Sequence, residues 1–154
     1  QKVRQVVSAE TAQTLLGILT KVVESGTGIQ ARVPGYTVAG KTGTAQKMDP
    51  KTRKYSNTDY VSSFCGFLPA NNPELVCLVV LDKPRKDYWG GSTAAPIFAR
   101  IMSRAVQVMG LPPEPNRPQV LAKKDVRVPV KKAVSVSAKN AGVTHLVLNK
   151  PTYP

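Results

Sequence analysis

The sequence predicts an α/β fold, an antiparallel sheet with helices on its faces, and three observations predict it. Two stretches, 8–25 and 92–109, repeat apolar residues at helical spacing. Two runs rich in Val, Phe and Leu, Tyr60 to Leu68 and Leu75 to Leu81, are joined by the hairpin-type loop Pro69-Ala-Asn-Asn-Pro-Glu74. A period-two alternation beginning at Tyr36 adds a third strand. With 154 residues and 42% hydrophobic content, the chain is one globular domain or part of a larger one.

Ser8 is placed to cap the first helix and Glu10 favours its first turn. Ala12, Leu15, Leu16, Leu19, Val22 and Val23 form its apolar stripe, and Gly26 and Gly28 end it. Pro34-Gly35 marks a turn, after which Tyr36-Thr37-Val38-Ala39 starts a strand that Thr42, Thr44 and Gln46 continue on one side. Residues 47–59 are polar around Asp49-Pro50 and predict an exposed loop, with Arg53 and Lys54 solvated. Tyr88-Trp89-Gly90-Gly91 is a turn. The second helix carries Phe98, Ile101, Met102 and Ala105 inward, tolerates Pro96 in its first turn and stops at Gly110 before Pro112-Pro113.

Net charge is +13, and residues 113–154 hold eight of the 22 Lys and Arg against two acids, Glu114 and Asp125. That segment predicts a basic, Pro-containing tail or linker with at most weak strands. No aromatic residues interleave with the basic ones, so no nucleic-acid partner is expected. The longest apolar run, Leu75 to Leu81, is too short to span a bilayer. The chain opens on Gln1 without a signal peptide, which predicts a processed chain or a fragment. The single histidine, His145, lies in the tail as a surface residue, which disfavours a Ser-His-Asp or Cys-His mechanism within this chain. Cys65 and Cys77 lack metal-site spacing. In a symmetric hairpin they fall about opposite each other. A cross-strand disulfide is one reading, and two separate buried thiols is the favoured one.

Two chemistries compete for the stretch Gly40-Lys41-Thr42-Gly43-Thr44-Ala45-Gln46. Gly35 to Thr42 fits the phosphate-loop pattern G-x-x-x-x-G-K-T, and Leu75 to Asp82 resembles the apolar strand ending in a magnesium-binding aspartate. A phosphate loop must lead from a strand into a helix, whereas strand formers precede Lys41 and a polar loop follows it. Lys41-Thr42-Gly43 is also the K-S/T-G element of penicillin-binding proteins and serine β-lactamases. In that chemistry a strand of this kind pairs with an extended peptide through its backbone.

The flanking residues decide between them. Gly26-Thr27-Gly28, Val33 through Gln46, Tyr60 to Ala70, Pro73 to Asp82 and Gly90 to Phe98 resemble, in order, the transpeptidase domain of class B penicillin-binding proteins, with cell-division and elongation members the nearest likeness. The resemblance covers about residues 8–112. It implies the C-terminal portion of the serine β-lactamase/transpeptidase-like fold in residues 1–112, with 113–154 as the tail. It further implies a membrane-anchored enzyme that cross-links peptidoglycan through a serine acyl-enzyme outside the cytoplasmic membrane and that β-lactams acylate. Its partners are then D-Ala-D-Ala stem peptides, β-lactams and the N-terminal half of the same transpeptidase. Membrane contact comes only through an upstream anchor, and no cofactor or metal is implied.

By the same resemblance Lys41 and Thr44 are the catalytic residues. Lys41 sets a cation beside the nucleophile's proton-transfer network, and the Thr44 amide supplies half of an oxyanion hole. Thr42, Gly43, Thr44, Gln46, Tyr88 and Trp89 are the substrate-binding residues. The two threonine hydroxyls meet the substrate carboxylate, Gly43 admits its backbone, and the aromatic pair walls the groove. The chain departs from the family pattern because no serine is followed by Lys in S-x-x-K fashion, and the S/Y-x-N match Tyr55-Ser56-Asn57 falls after Lys41 as an accident. Either the serine half lies elsewhere, the favoured explanation, or catalysis has been lost. A portion of this kind should expose an apolar face made to be covered. A non-catalytic wall-peptide-binding or assembly module is the alternative function, with a serine β-lactamase or nucleotide binder further behind.

Overall fold

Residues 4–115 are described by the computed structural model. The tail's weak predicted strands and His145 lie outside the described residues. Helix α1 (Ala9–Glu24) starts where the Ser8 hydroxyl accepts the Thr11 N–H at 3.1 Å, satisfying one of the amides a helix start leaves unpaired. Its last carbonyls are met by the Arg32 guanidinium, whose Nε donates to Val23 O at 3.2 Å and whose Nη2 donates to Glu24 O. A cation there complements the helix dipole. A short 3-10 turn (Ile29–Ala31) follows, then β1 (Ala39–Met48), β2 (Tyr55–Leu68), β3 (Leu75–Asp82) and α2 (Ala94–Val108). The three strands form one antiparallel sheet in the order β1-β2-β3. Helix α2 ends as a Schellman motif, with Gly110 N–H on Gln107 O, Leu111 N–H on Val106 O, and Gly110 at φ 65°.

Two boundaries differ from expectation. Strand β1 begins at Ala39 rather than Tyr36, because the Tyr36 N–H closes a turn onto Val33 O at 3.1 Å. The polar loop is also shorter than 47–59: β1 runs to Met48, β2 starts at Tyr55, and only residues 49–54 connect them. The Asp49 carboxylate accepts the Lys51 N–H at 2.8 Å and the Thr52 N–H at 3.4 Å, which lowers its pKa and pins the turn. At this end of the hairpin only Tyr55 pairs across, with Met48; residues 56–59 form an irregularity in the register, where the Ser56 hydroxyl accepts the Thr58 N–H at 3.2 Å and the Asp59 N–H at 3.0 Å.

Register assigns every side chain to a face. Gly40, Thr42 and Thr44 share one face with Gly66, Phe64 and Ser62, and through them with Cys77, Val79 and Leu81. The core lies here, with Phe64 edge-on to Phe98 of α2 at 4.8 Å and with Val23, Val79, Met102 and Val106 around them. Lys41 and Gly43 share the other face with Cys65, Ser63, Leu78 and Val80. On that face Val76, Leu78 and Val80 are exposed. Cys65 aligns with Leu78, and Cys77 with Gly66, so the thiols point to opposite faces and both are free. The disulfide reading therefore fails by one residue of register. The separate-thiol reading holds for a half-buried Cys77 but not for Cys65, which is exposed. The expected α1 stripe is likewise only partly covered: Val23 is buried and Leu16, Leu19 and Val22 are half-buried, whereas Ala12 and Leu15 are exposed, so α1 packs by its C-terminal end. On the apolar face of α2, Phe98 and Met102 are buried as expected, Val106 joins them, and Ile101 is exposed.

The phosphate-loop reading is overturned. Lys41 and Thr42 lie inside β1, a hairpin follows them instead of a helix, and Leu75–Asp82 is antiparallel to its neighbour.

Candidate active-site wall

Strand β1 is terminal in the described sheet, so one of its edges has no strand beside it. Alternation sends Lys41 to one face and Thr42 to the other, yet the Lys41 side chain curls back along the strand. Its Nζ donates to Thr42 O at 2.9 Å and lies 3.4 Å from Thr42 Oγ1. A cation and a hydroxyl thus meet at one point of the strand. Thr27 joins them, its hydroxyl 3.0 Å from that of Thr42. It is delivered by the turn after α1, where Gly28 N–H donates to Val22 O at 2.9 Å.

Thr44 is oriented from the opposite direction. Its Oγ1 accepts the Gly90 N–H at 3.1 Å, which leaves its own O–H free to donate. The Tyr88–Gly91 turn comes this close because Gly90 has no side chain: a Cβ there would stand 2.4 Å from Ser63 O and 2.5 Å from Gly43 O. A Cβ on Gly43 would meet Ser63 Oγ at 2.4 Å, an internal reason for glycine beside that of admitting a ligand. The turn is further held by the Ser62 hydroxyl, which donates to Tyr88 O, and by Asp87, whose carboxylate accepts the Ser92 O–H and, at 3.1 Å, the Trp89 N–H. The Ser92 bond, then that of Trp89, holds the Asp87 carboxyl below its ordinary pKa.

Tyr60, Tyr88 and Trp89 form a run of rings. Tyr60 stacks on Tyr88 at 4.2 Å and 13°, and Tyr88 meets Trp89 at 5.1 Å and 36°. Gln46 aligns with Tyr60 across β1 and β2 and is exposed. This part of the molecule therefore presents a cation, hydroxyls of fixed direction and an apolar ring surface.

The penicillin binding protein transpeptidase domain matches residues 1–103. The chain belongs to this family. It is 44% identical over 115 residues to stage V sporulation protein D of Bacillus subtilis, covering 74% of this chain and 18% of that one. It is 42% identical to the probable peptidoglycan D,D-transpeptidase PbpC of Pseudomonas aeruginosa, covering 73% and 20%. Among solved structures, penicillin-binding protein 3 of Mycobacterium tuberculosis complexed with ampicillin matches with a TM-score of 0.64 at 40% identity, covering 71% of this chain and 26% of that one. The transpeptidase domain of penicillin-binding protein 3 from Burkholderia pseudomallei matches with the same TM-score at 37% identity, covering 71% and 33%. The fold is thus the β-lactamase/transpeptidase-like fold. The chain spans about a fifth of the length of these curated relatives.

All the residues singled out from the transpeptidase resemblance fall along β1 or in the turn beside it: Lys41, Thr42, Gly43, Thr44 and Gln46 on the strand, Tyr88 and Trp89 in the turn. Arg53 and Lys54 are exposed in the distant hairpin loop. Sequence reasoning passed over Thr27 and Tyr60 as site residues. Their signals are a threonine between two glycines and a tyrosine at the period-two position opposite Gln46.

Proposed function

We propose that this chain is the K-T-G-T wall of a peptidoglycan D,D-transpeptidase, with residues 1–112 as the C-terminal part of the catalytic domain and 113–154 as a basic tail. The complete enzyme cross-links stem peptides outside the cytoplasmic membrane through a serine acyl-enzyme, and β-lactams acylate the same serine. Family membership and the convergence of Lys41, Thr42 and Thr44 on one strand support this reading. When the serine oxygen attacks the D-Ala-D-Ala carbonyl, negative charge develops on the carbonyl oxygen and needs donors already in place. The Thr44 amide is assigned half of that hole. Lys41 keeps the proton-transfer network beside the serine polarised, and the Thr42 and Thr44 hydroxyls hold the substrate carboxylate. Gly43 admits the substrate backbone, with Gln46, Tyr88 and Trp89 contacting the rest of the peptide.

The serine itself is not in this sequence. Its motif S-x-x-K belongs, in this reading, to the upstream half of the domain, which also covers the bare face bearing Val76, Leu78 and Val80. A second and less favoured reading is a non-catalytic module that binds wall peptides or assembles with other proteins; the intact Lys41-Thr42-Gly43-Thr44 weighs against it. A fluorescent-penicillin gel separates them. The chain alone should stay unlabelled, and the upstream half with this chain should label covalently. Labelling of the chain alone, or no labelling of the pair, would sink the proposal.

A further inference from the structure

The residues after α2 turn back onto the entrance of β1. Tyr36 Oη donates to Leu111 O at 2.6 Å, Glu114 N–H donates to Gly35 O at 2.8 Å, and Thr37 N–H donates to the Glu114 carboxylate. Gly35 adopts φ 83°, and Pro113 Cβ lies 3.0 Å from where its own Cβ would stand, so the contact needs glycine twice over. Thr37 O meanwhile accepts the Ala70 N–H at 2.8 Å. Both polar backbone groups of buried Thr37 are therefore fixed, one by the β2–β3 loop and one by a carboxylate far along the chain. A buried N–H must find an acceptor, and an ionised one binds it strongly. Thr37 lies just ahead of β1, whose third residue is Lys41.

We propose that Glu114 is a positioning residue for the K-T-G-T strand: carried back by the segment after α2, its carboxylate anchors the Thr37 N–H and sets the direction in which β1 enters the site. This rests on the function proposed above, because it gives the strand's direction a catalytic consequence.

The test compares wild type, Glu114→Ala and Glu114→Gln, in the 154-residue chain and in the complete enzyme. In the chain, Glu114→Ala should speed amide exchange across residues 36–46 by roughly tenfold while residues 75–82 stay unchanged. Glu114→Gln keeps an acceptor oxygen and should restore most of the protection. In the complete enzyme, Glu114→Ala should slow fluorescent-penicillin acylation about tenfold and Glu114→Gln by less than about threefold, the cost of one lost charge-assisted bond. Equal loosening of both strands, a Gln variant as impaired as the Ala variant, or unchanged acylation despite a loosened β1 overturns the proposal. If the wild-type complete enzyme takes no label, the proposed function has failed, and the exchange comparison still decides whether Glu114 anchors β1.

Discussion

On one face of the sheet Phe64 is 0% exposed and Val79 8%, packed beneath Phe98 and Met102 of α2. On the other face, at the alternate positions of β3, Val76, Leu78 and Val80 stand 75%, 62% and 54% exposed. Yet Leu75–Asp82 is apolar almost without interruption. A strand with one wet face alternates apolar and polar residues, whereas a continuous apolar run belongs to a strand covered on both faces. The strand is therefore written for a cover that the described residues do not provide. Lys41 stands on that same face, in register with Cys65 and Leu78. The Lys41 side chain leaves the strand on that bare face, and its Nζ then curls back to Thr42.

The comparison breaks most directly in the core. Phe64→Ala should cost about 3–5 kcal/mol in denaturant unfolding of the chain, and Leu78→Ala within about 0.5 kcal/mol. Equal costs would mean that the chain covers its own second face. Gly90→Ala should cost about 1–3 kcal/mol, because backbone atoms occupy the space its methyl needs. Gly17→Ala, with nothing within 4 Å of its added Cβ, should instead stabilise α1 by about 0.5–1 kcal/mol. In the complete enzyme, Thr44→Val removes the hydroxyl that Gly90 orients and should lower penicillin acylation about tenfold, measured by stopped-flow.

The smallest effect expected is in acid. Because Asp87 has its pKa lowered in the folded turn, its bonds to Ser92 and Trp89 are fully present above the ordinary carboxylate pKa and are lost as pH falls through the lowered value. Fluorescence of the single tryptophan, Trp89, should follow that acid limb, and Asp87→Asn should flatten it.

The architecture was legible because its signals are local: a cap at Ser8, apolar repeats in both helices, a hairpin loop at Pro69 to Glu74, and the alternation that puts Thr42, Thr44 and Gln46 on one side. What escaped depends on partners distant in sequence. Nothing near Glu114 announces that it will bond Thr37, and nothing near Tyr36 shows that a turn will delay the strand. The hairpin's centre fell between two residues rather than on Asn71, which moved Cys65 to the face opposite Cys77. Half a residue of misjudged symmetry was enough, because side chains in a strand change sides at every step.

That misplaced symmetry leaves the molecule with a chemical label on each side of its sheet. Burial, then the nearby Cys65, pushes the Cys77 thiol up in pKa, so it forms thiolate reluctantly, while Cys65 stands open beside Leu78. Iodoacetamide should therefore modify Cys65 first in the lone chain. Docking of the upstream half should slow Cys65 and leave Cys77 as it was. The ratio of the two alkylation rates then gives a footprint of assembly that needs no serine and no turnover.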